Sequence, residues 1–394
     1  MNIEQLDIEG YRSLRNVSWR PGNLNIIIGP NGSGKSNLLR FLELLSLSAQ
    51  GRLGKHIQSL GGMDPIVWDG EAPSIRCVLK TTTLGDDRAP EQYELEMARL
   101  GTSSSYRIGS ERLTNSFDVR SGLKEQPFVF LDRKGKTAVL FDVEQKRFTT
   151  PEDFISEEET LLSLASGPFT HNPRIPPFQR ELASIAVYHD ILTHRNAPVR
   201  GPVVARKEDR VDPDGQNLVS VLHTMYTGDR EFKKGLHLAM RGAFGDDFEE
   251  LVFPPASDQR VQMRIRWKTL KREQSTAEMS DGTLRFLLLL AVFANPSPPS
   301  VIAIDEPETG LHPSMLPLVA EFAVDAASRS QVVLTTHSTQ LLDAFTETKP
   351  VTTVSDWKNG ETVLRTLNGK ELDYWLQEYS LGTLFKSGEL EQMS

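Results

Sequence analysis

Cysteine is almost absent: Cys77 stands alone among 394 residues. One thiol excludes an internal disulfide and a cysteine-based metal site, and it fits a reducing compartment. Its setting in Ile75-Arg76-Cys77-Val78-Leu79 reads as a small core residue of a strand. No run approaches the roughly 18 apolar residues that a membrane span requires. The opening Met1-Asn2-Ile3-Glu4-Gln5 lacks the charged-then-apolar pattern of a signal segment. The expectation is a cytoplasmic protein with no membrane partner. An excess of positive charge is missing too: 44 Lys and Arg against 53 Asp and Glu leave a formal charge of −9. That excludes a protein coated in cations for nucleic acid and leaves only a local patch for such a role. A long coiled coil is excluded from the middle of the chain, where Pro151, Pro168, Pro173, Pro176, Pro177, Pro198, Pro202 and Pro213 recur. There is no internal repeat or low-complexity tract. With 38% apolar content the chain has ample material for a core, as one large domain with insertions or as two lobes.

Along the chain, Ile3, Leu6 and Ile8 mark a short strand, and Leu24 to Ile28 form a compact apolar run that ends in Gly29. A helix is predicted from Lys35 to about Ser46, with Leu38, Leu39, Phe41, Leu42 and Leu45 on its apolar face. From Ser74 to about Asp142 the sequence breaks into short β-like pieces between Gly, Ser and Asp turns, which reads as an appended antiparallel sheet. Residues 151–258 read as a helical insertion lobe. After Arg260 come a strand, a helix (Thr283 to Ala294), a strand (Val301 to Ile304), a helix (Met315 to Ala327) and a strand (Val332 to Thr335), an alternation that builds a parallel sheet. The expected organisation is residues 1–70 and 259–345 as two halves of one α/β core, 71–150 as the β region, 151–258 as the helical lobe, and 346–394 as a carboxyl-terminal extension.

Four segments carry chemistry. Gly29-Pro30-Asn31-Gly32-Ser33-Gly34-Lys35-Ser36 has the P-loop spacing, with a strand before it and a helix after it. Glycines let backbone N–H groups converge on phosphate oxygens, Lys35 reaches the β- and γ-phosphates, and Ser36 is a magnesium ligand. The strand Val301-Ile302-Ala303-Ile304 ends in Asp305-Glu306: Asp305 would support magnesium through its water shell, and Glu306 would orient and polarise an attacking water. Met279-Ser280-Asp281-Gly282-Thr283 is, read alone, a turn and helix cap as readily as an anion site at a helix amino terminus. Its place between a P-loop and an acidic strand end favours the anion site. Val332 to Thr335 is a buried strand whose carboxyl end presents His337, a structural histidine or a sensor of the γ-phosphate.

The ordered set of P-loop, Ser280 to Gly282, Asp305 with Glu306, and His337 resembles the ABC ATPase superfamily, in the wording of its RecF, SMC and OLD branch. The phrases Gly29-Pro-Asn-Gly-Ser-Gly-Lys-Ser-Asn37, Asp305-Glu-Pro-Glu-Thr-Gly-Leu-His-Pro313 and Thr335-Thr-His-Ser338 carry the likeness. Tyr11-Arg12-Ser13-Leu14, Asp214 to Leu218 and Leu381 to Gly388 extend it toward the compact AAA-type predicted ATPases of bacterial anti-phage modules. The resemblance implies a P-loop NTPase head that binds ATP and Mg2+ through Gly29 to Asn37, with Lys35, Ser36, Asp305, Glu306 and His337 acting in cis. It implies a homodimer or higher oligomer in which Ser280 and Gly282 of one head close on the nucleotide of the other, and an output driven by ATP hydrolysis. It also implies that Arg12 lies near the nucleotide, while the residue itself reads equally as a surface strand position. His312 departs from the acidic residue that many relatives carry there. No glutamine is assigned as the usual magnesium ligand, Gln50 and Gln58 both being open.

Neither a coiled-coil arm nor a carboxyl-terminal nuclease-like acidic cluster is present, so a nucleolytic or toxic output is expected from a separate effector protein. Strict alternation in Arg260-Val-Gln-Met-Arg264-Ile-Arg266-Trp-Lys268 places four cations on one face and Val261, Met263, Ile265 and Trp267 on the other. That face reads as a solvated outer surface or as a contact for DNA. The biological expectation is the sensor or controller subunit of an anti-phage system. The alternatives are a RecF-like DNA-repair ATPase and a non-hydrolysing nucleotide scaffold.

Overall fold

The computed structural model describes residues 1–82, 90–101, 104–115, 127–151, 156–165, 172–256, 258–367 and 380–392. Pro168 and residues 368–379 of the carboxyl-terminal stretch lie outside them. The chain divides into two compact units, residues 1–185 with 351–367 and residues 186–350 with 368–394.

The first unit is built on an eight-stranded antiparallel sheet. In order across it run Leu14–Trp19, Asn2–Tyr11, Ser74–Thr82, Glu91–Arg99, Tyr106–Asn115, Val129–Lys134, Thr137–Asp142 and Arg147–Thr149. Period-two burial makes these strands: Ile75, Cys77 and Leu79 point inward, as do Tyr93, Leu95 and Met97 in the next strand. Cys77 is the buried strand residue expected, and burial pushes its thiol up to about 12, which makes it inert. The β region does not begin at residue 71, however. The hairpin of residues 2–19 pairs with Ser74–Thr82, Ile8 opposite Cys77, so the first strands belong to this sheet.

The all-buried strand Leu24–Ile28 lies parallel to Val351–Lys358, which pairs antiparallel with Glu361–Thr366. Two strands from the stretch read as a carboxyl-terminal extension therefore extend the sheet on one side of the P-loop strand, Val351–Lys358 next to it and Glu361–Thr366 beyond. The helix Lys35–Ala49 follows, with Leu38, Leu39, Phe41, Leu42 and Leu45 buried as predicted.

The second unit holds three parallel strands, Ala186–Tyr188, Val301–Asp305 and Gln331–Thr335, with Ile304 opposite Leu334 and Asp305 opposite Thr335. Continuous apolar runs such as Val301-Ile-Ala-Ile belong in a parallel sheet, where both faces are covered. The helices Asp281–Phe293 and Leu316–Ala326 supply the alternation expected. The middle of the chain is only partly helical. It contributes Ile175–Ala183, opened by Pro176 and Pro177, to the first unit, and Leu218–Gly228 and Arg230–Phe244 to the second. It also contributes the parallel strand Ala186–Tyr188 and the strand Phe248–Val252. No helix among the described residues is long and apolar enough to cross a membrane.

Candidate functional site

In the first unit the P-loop is shaped by where a side chain cannot go. Gly34 has φ +98°, and a Cβ there would meet Thr362 Oγ1 at 1.9 Å and Ser13 Oγ at 2.7 Å. Gly32, at φ +80°, has open space on its outer side. The loop is thus braced from behind and bare in front. Lys35 is buried and donates from Nζ to Gly29 O (2.7 Å) and Pro30 O (3.0 Å), folding its ammonium over the loop. The buried Ser33 Oγ has no hydrogen-bond partner among the described residues. A lining of backbone N–H groups at a helix amino terminus, a lysine ammonium and a vacant hydroxyl suits a polyphosphate.

The brace is made by residues outside the motif. Ser355 Oγ (3.0 Å) and Thr362 Oγ1 (2.9 Å) donate to Ser33 O, and Thr362 N–H donates to Ser13 O (2.8 Å). Ser13 Oγ lies 2.7 Å from Thr362 Oγ1 and accepts from Asn37 Nδ2 (2.7 Å). Asn37 therefore holds the turn between the first two strands against the start of the helix. Arg12 occupies that turn at φ +46°, beside Ser13, with its buried Nε unpartnered and its guanidinium over the Tyr11 ring. Arg12 is a neighbour of the P-loop brace and not a plain strand residue. Ser13, Ser355 and Thr362 were missed because hydroxyl residues in strands and turns carry no distinctive spacing.

The second unit gathers Asp305, Glu306 and His337 at two adjacent strand ends. Thr335 Oγ1 donates to Asp305 Oδ1 and accepts from Glu306 N (3.2 Å), while Thr335 O accepts from the same N–H (3.1 Å). Glu306 is held at φ +49°, a conformation costing a non-glycine residue about 1–3 kcal/mol, which such a tight turn between strand and loop imposes. Its Oε1 lies 3.0 Å from His337 Nδ1, and its Oε2 accepts from Thr309 Oγ1 at 3.4 Å. The pair is half exposed, so its ionic contribution to stability is small. Beside it, Glu308 accepts from Thr336 Oγ1, and its Oε2 is buried with no hydrogen-bond partner among the described residues. Burial raises the Glu308 carboxyl above the usual carboxylate range, and the Thr336 hydroxyl partly offsets that. Exposed His312 accepts from Ser314 N (3.3 Å) and caps the turn Pro313–Met315.

Ser280 caps the helix Asp281–Phe293, its Oγ accepting from Thr283 N at 3.1 Å. A Cβ on Gly282 would meet Gly310 O at 2.6 Å, so this glycine packs against the loop that follows Glu306. The segment is fixed by Arg200, absent from the sequence reading. Its guanidinium donates to Thr276 O (3.0 Å), Met279 O (2.7 Å) and Thr193 O (2.8 Å), and it pairs with Asp281.

Other expectations change. Gln50 ends a 15-residue helix, about 22 Å from its P-loop end, and donates to Ser46 Oγ and Ala183 O. It is not placed to ligate magnesium on the P-loop. Gln58 lines a cavity of about 490 Å³ that includes no P-loop residue. No cluster of three His, Cys, Asp or Glu side chains suited to a metal occurs among the described residues. A hard cation held by hydroxyl, phosphate and water oxygens is consistent with that donor set. On the basic strand Val261, Met263 and Ile265 are buried, but Trp267 is only partly so. The run is split into Arg260–Val261 and Arg264–Trp267, in different sheets, and of its cations Arg264 faces Glu273 (3.6 Å) while Arg266 pairs with Glu250 and Glu273.

Residues 24–343 match the family model described as "AAA domain, putative AbiEii toxin, Type IV TA system". The DNA replication and repair protein RecF of Moorella thermoacetica is 44% identical over 50 residues, 12% of this chain and 13% of the relative. RecF of Marinomonas sp. is 40% identical over 57 residues, 14% of this chain and 16% of the relative. The cytochrome c biogenesis ATP-binding export protein CcmA of Rhodospirillum rubrum is 43% identical over 75 residues, 18% of this chain and 30% of the relative. The chain thus spans less than a third of the length of each of these curated relatives. An SMC head bound to the C-terminal winged-helix domain of ScpA matches with a TM-score of 0.55 at 14% identity, covering 95% of this chain and all of that one. The Pyrococcus furiosus Smc head with an extended coiled coil matches with a TM-score of 0.52 at 14% identity, covering 96% and 99%. The fold is that of an SMC-type head, and the chain belongs to the family of AAA domains matched over residues 24–343, among the ABC-type ATPases of the RecF and SMC branch.

Proposed function

We propose that this protein hydrolyses ATP and uses the cycle to open and close a head-to-tail dimer. The observation that carries the reading is the Glu306–His337 pair, 3.0 Å apart at two strand ends, with Asp305 fixed beside it by Thr335. A carboxylate in that position, oriented by an imidazole, is the equipment for positioning and polarising a water. The P-loop grips the phosphates through its backbone N–H groups and Lys35. Ser36 and Asp305 would hold magnesium, which would neutralise charge developing on the phosphate. His337 orients Glu306 and senses the terminal phosphate. Ser280 and Gly282, held in place by Arg200, close on the nucleotide of a second copy, so that occupancy is read out as dimer state.

The biological output we propose is control of a separate effector in anti-phage defence. Supporting it are the toxin–antitoxin description of the family and the ScpA domain bound to the related SMC head. The short RecF matches favour a second reading, a DNA-repair ATPase. Purification of tagged Glu306→Gln from its native host in Mg-ATP separates them. A dimer carrying a stoichiometric second protein supports the controller, a dimer carrying DNA supports the repair ATPase, and a monomer in saturating ATP contradicts the sandwich.

A further inference from the structure

Glu308 is a carboxyl that the proposed chemistry leaves unused, yet it stands between the two strand ends that make the water-activating pair. Its Oε1 accepts from Thr336 Oγ1, and that hydroxyl in turn accepts from Ser338 N at 2.9 Å. The hydroxyl thus accepts from the Ser338 amide and donates its only proton to Glu308. Ser338 is tied from its other side, Oγ capping the helix Thr339–Asp343 through Leu341 N at 3.2 Å. The residues on both sides of His337 are thereby pinned, while among the described residues the hydrogen-bond partner of the His337 side chain is Glu306. A half-exposed ring so held takes its direction from its backbone. We propose that Glu308 is a positioning residue, which sets the His337 ring against Glu306 through Thr336. The inference deepens the ATPase reading and rests on it for its kinetic consequence alone. The buried Oε2, with no hydrogen-bond partner among the described residues, makes a non-catalytic carboxyl costly to keep, which argues for a role beyond packing.

The test uses Glu308→Ala, Glu308→Gln and Thr336→Val in the full chain. The first and third break the link, whereas glutamine keeps an acceptor for the Thr336 hydroxyl. The primary readout is the imidazole 15N–1H spectrum of the nucleotide-free protein, with His337 assigned by its loss in His337→Gln. Glu308→Ala and Thr336→Val should each move the His337 signal to that of an unrestrained histidine, and Glu308→Gln should leave it in place. In steady-state ATP hydrolysis, kcat should fall about 10–100-fold in the first and third with KM nearly unchanged, and glutamine should restore it. An unmoved His337 signal in Thr336→Val overturns the proposal, even where Glu308→Ala fails to fold. So does a glutamine variant as impaired as the alanine one. A wild type that binds ATP without turning it over removes the ATPase reading, and the His337 spectrum still decides the positioning.

Discussion

The phosphate loop and the acidic strand end are built on opposite plans. The loop is backbone: glycines at positive φ, with Ser355 and Thr362, more than 300 residues away in sequence, packed where a Cβ would go. The strand end is side chain: Thr335 and Thr336, at and just past the end of one strand, hold Asp305, Glu306 and Glu308, at and past the end of the neighbouring one, about 30 residues earlier. The first plan tolerates no added atom on its braced side, at Gly29 and Gly34, because there is no space. The second tolerates isosteric change, because its geometry is set by hydrogen bonds that an amide reproduces.

The sharpest break in this contrast is Gly34→Ala. Its methyl group would overlap Thr362 Oγ1 and force a left-handed residue, together costing about 2–5 kcal/mol and abolishing nucleotide binding. Gly32→Ala, two residues earlier with open space beside it, should cost only about 1–2 kcal/mol and keep binding. Thermal unfolding and titration with a fluorescent ATP analogue measure both. Equal losses in the two variants would mean that backbone conformation, and not the brace, governs the loop.

Arg200→Ala addresses the second plan at its signature segment. Stripping the carbonyls of Thr276 and Met279 of a buried donor should cost about 1–3 kcal/mol. ATP affinity of the monomer should remain, while ATP-dependent dimerisation, followed by light scattering, should be lost. Dimerisation at wild-type strength would show that the segment needs no such anchor. The smallest effect is expected from Arg264→Glu with Arg266→Glu. Both cations already face Glu250 or Glu273, so reversal should lower stability only slightly and leave DNA binding as it was. A face that grips phosphates would instead lose affinity and about two units of salt slope.

How far the sequence speaks follows the same division. The P-loop was legible because its requirement is local: a strand, three glycines, a lysine and a helix in one stretch. Asp305, Glu306 and His337 were legible as chemistry-bearing residues at strand ends. Their supports were not. Thr335, Thr336 and Thr362 are ordinary β-formers, and Ser13 an ordinary turn residue, until a neighbour in space gives each a hydrogen-bond partner. Arg200 sits in a proline-punctuated stretch with no periodicity. The hairpin of residues 2–19 and the strands of 351–366 were assigned to other parts of the fold because long-range pairing, antiparallel to Ser74–Thr82 in the first case and parallel to Leu24–Ile28 in the second, leaves no local mark. Glu308 stood in plain sight in Asp-Glu-Pro-Glu, and only its burial against Thr336 distinguishes it from a solvated acid.

The central claim is that Glu306 activates water on a nucleotide that the P-loop holds. Mg-ATP binding and single-turnover hydrolysis, measured side by side on the wild type and on Glu306→Gln, test it most directly. The account predicts equal binding and a rate about 10²–10⁴-fold lower in the variant. Equal rates in the two proteins would contradict it.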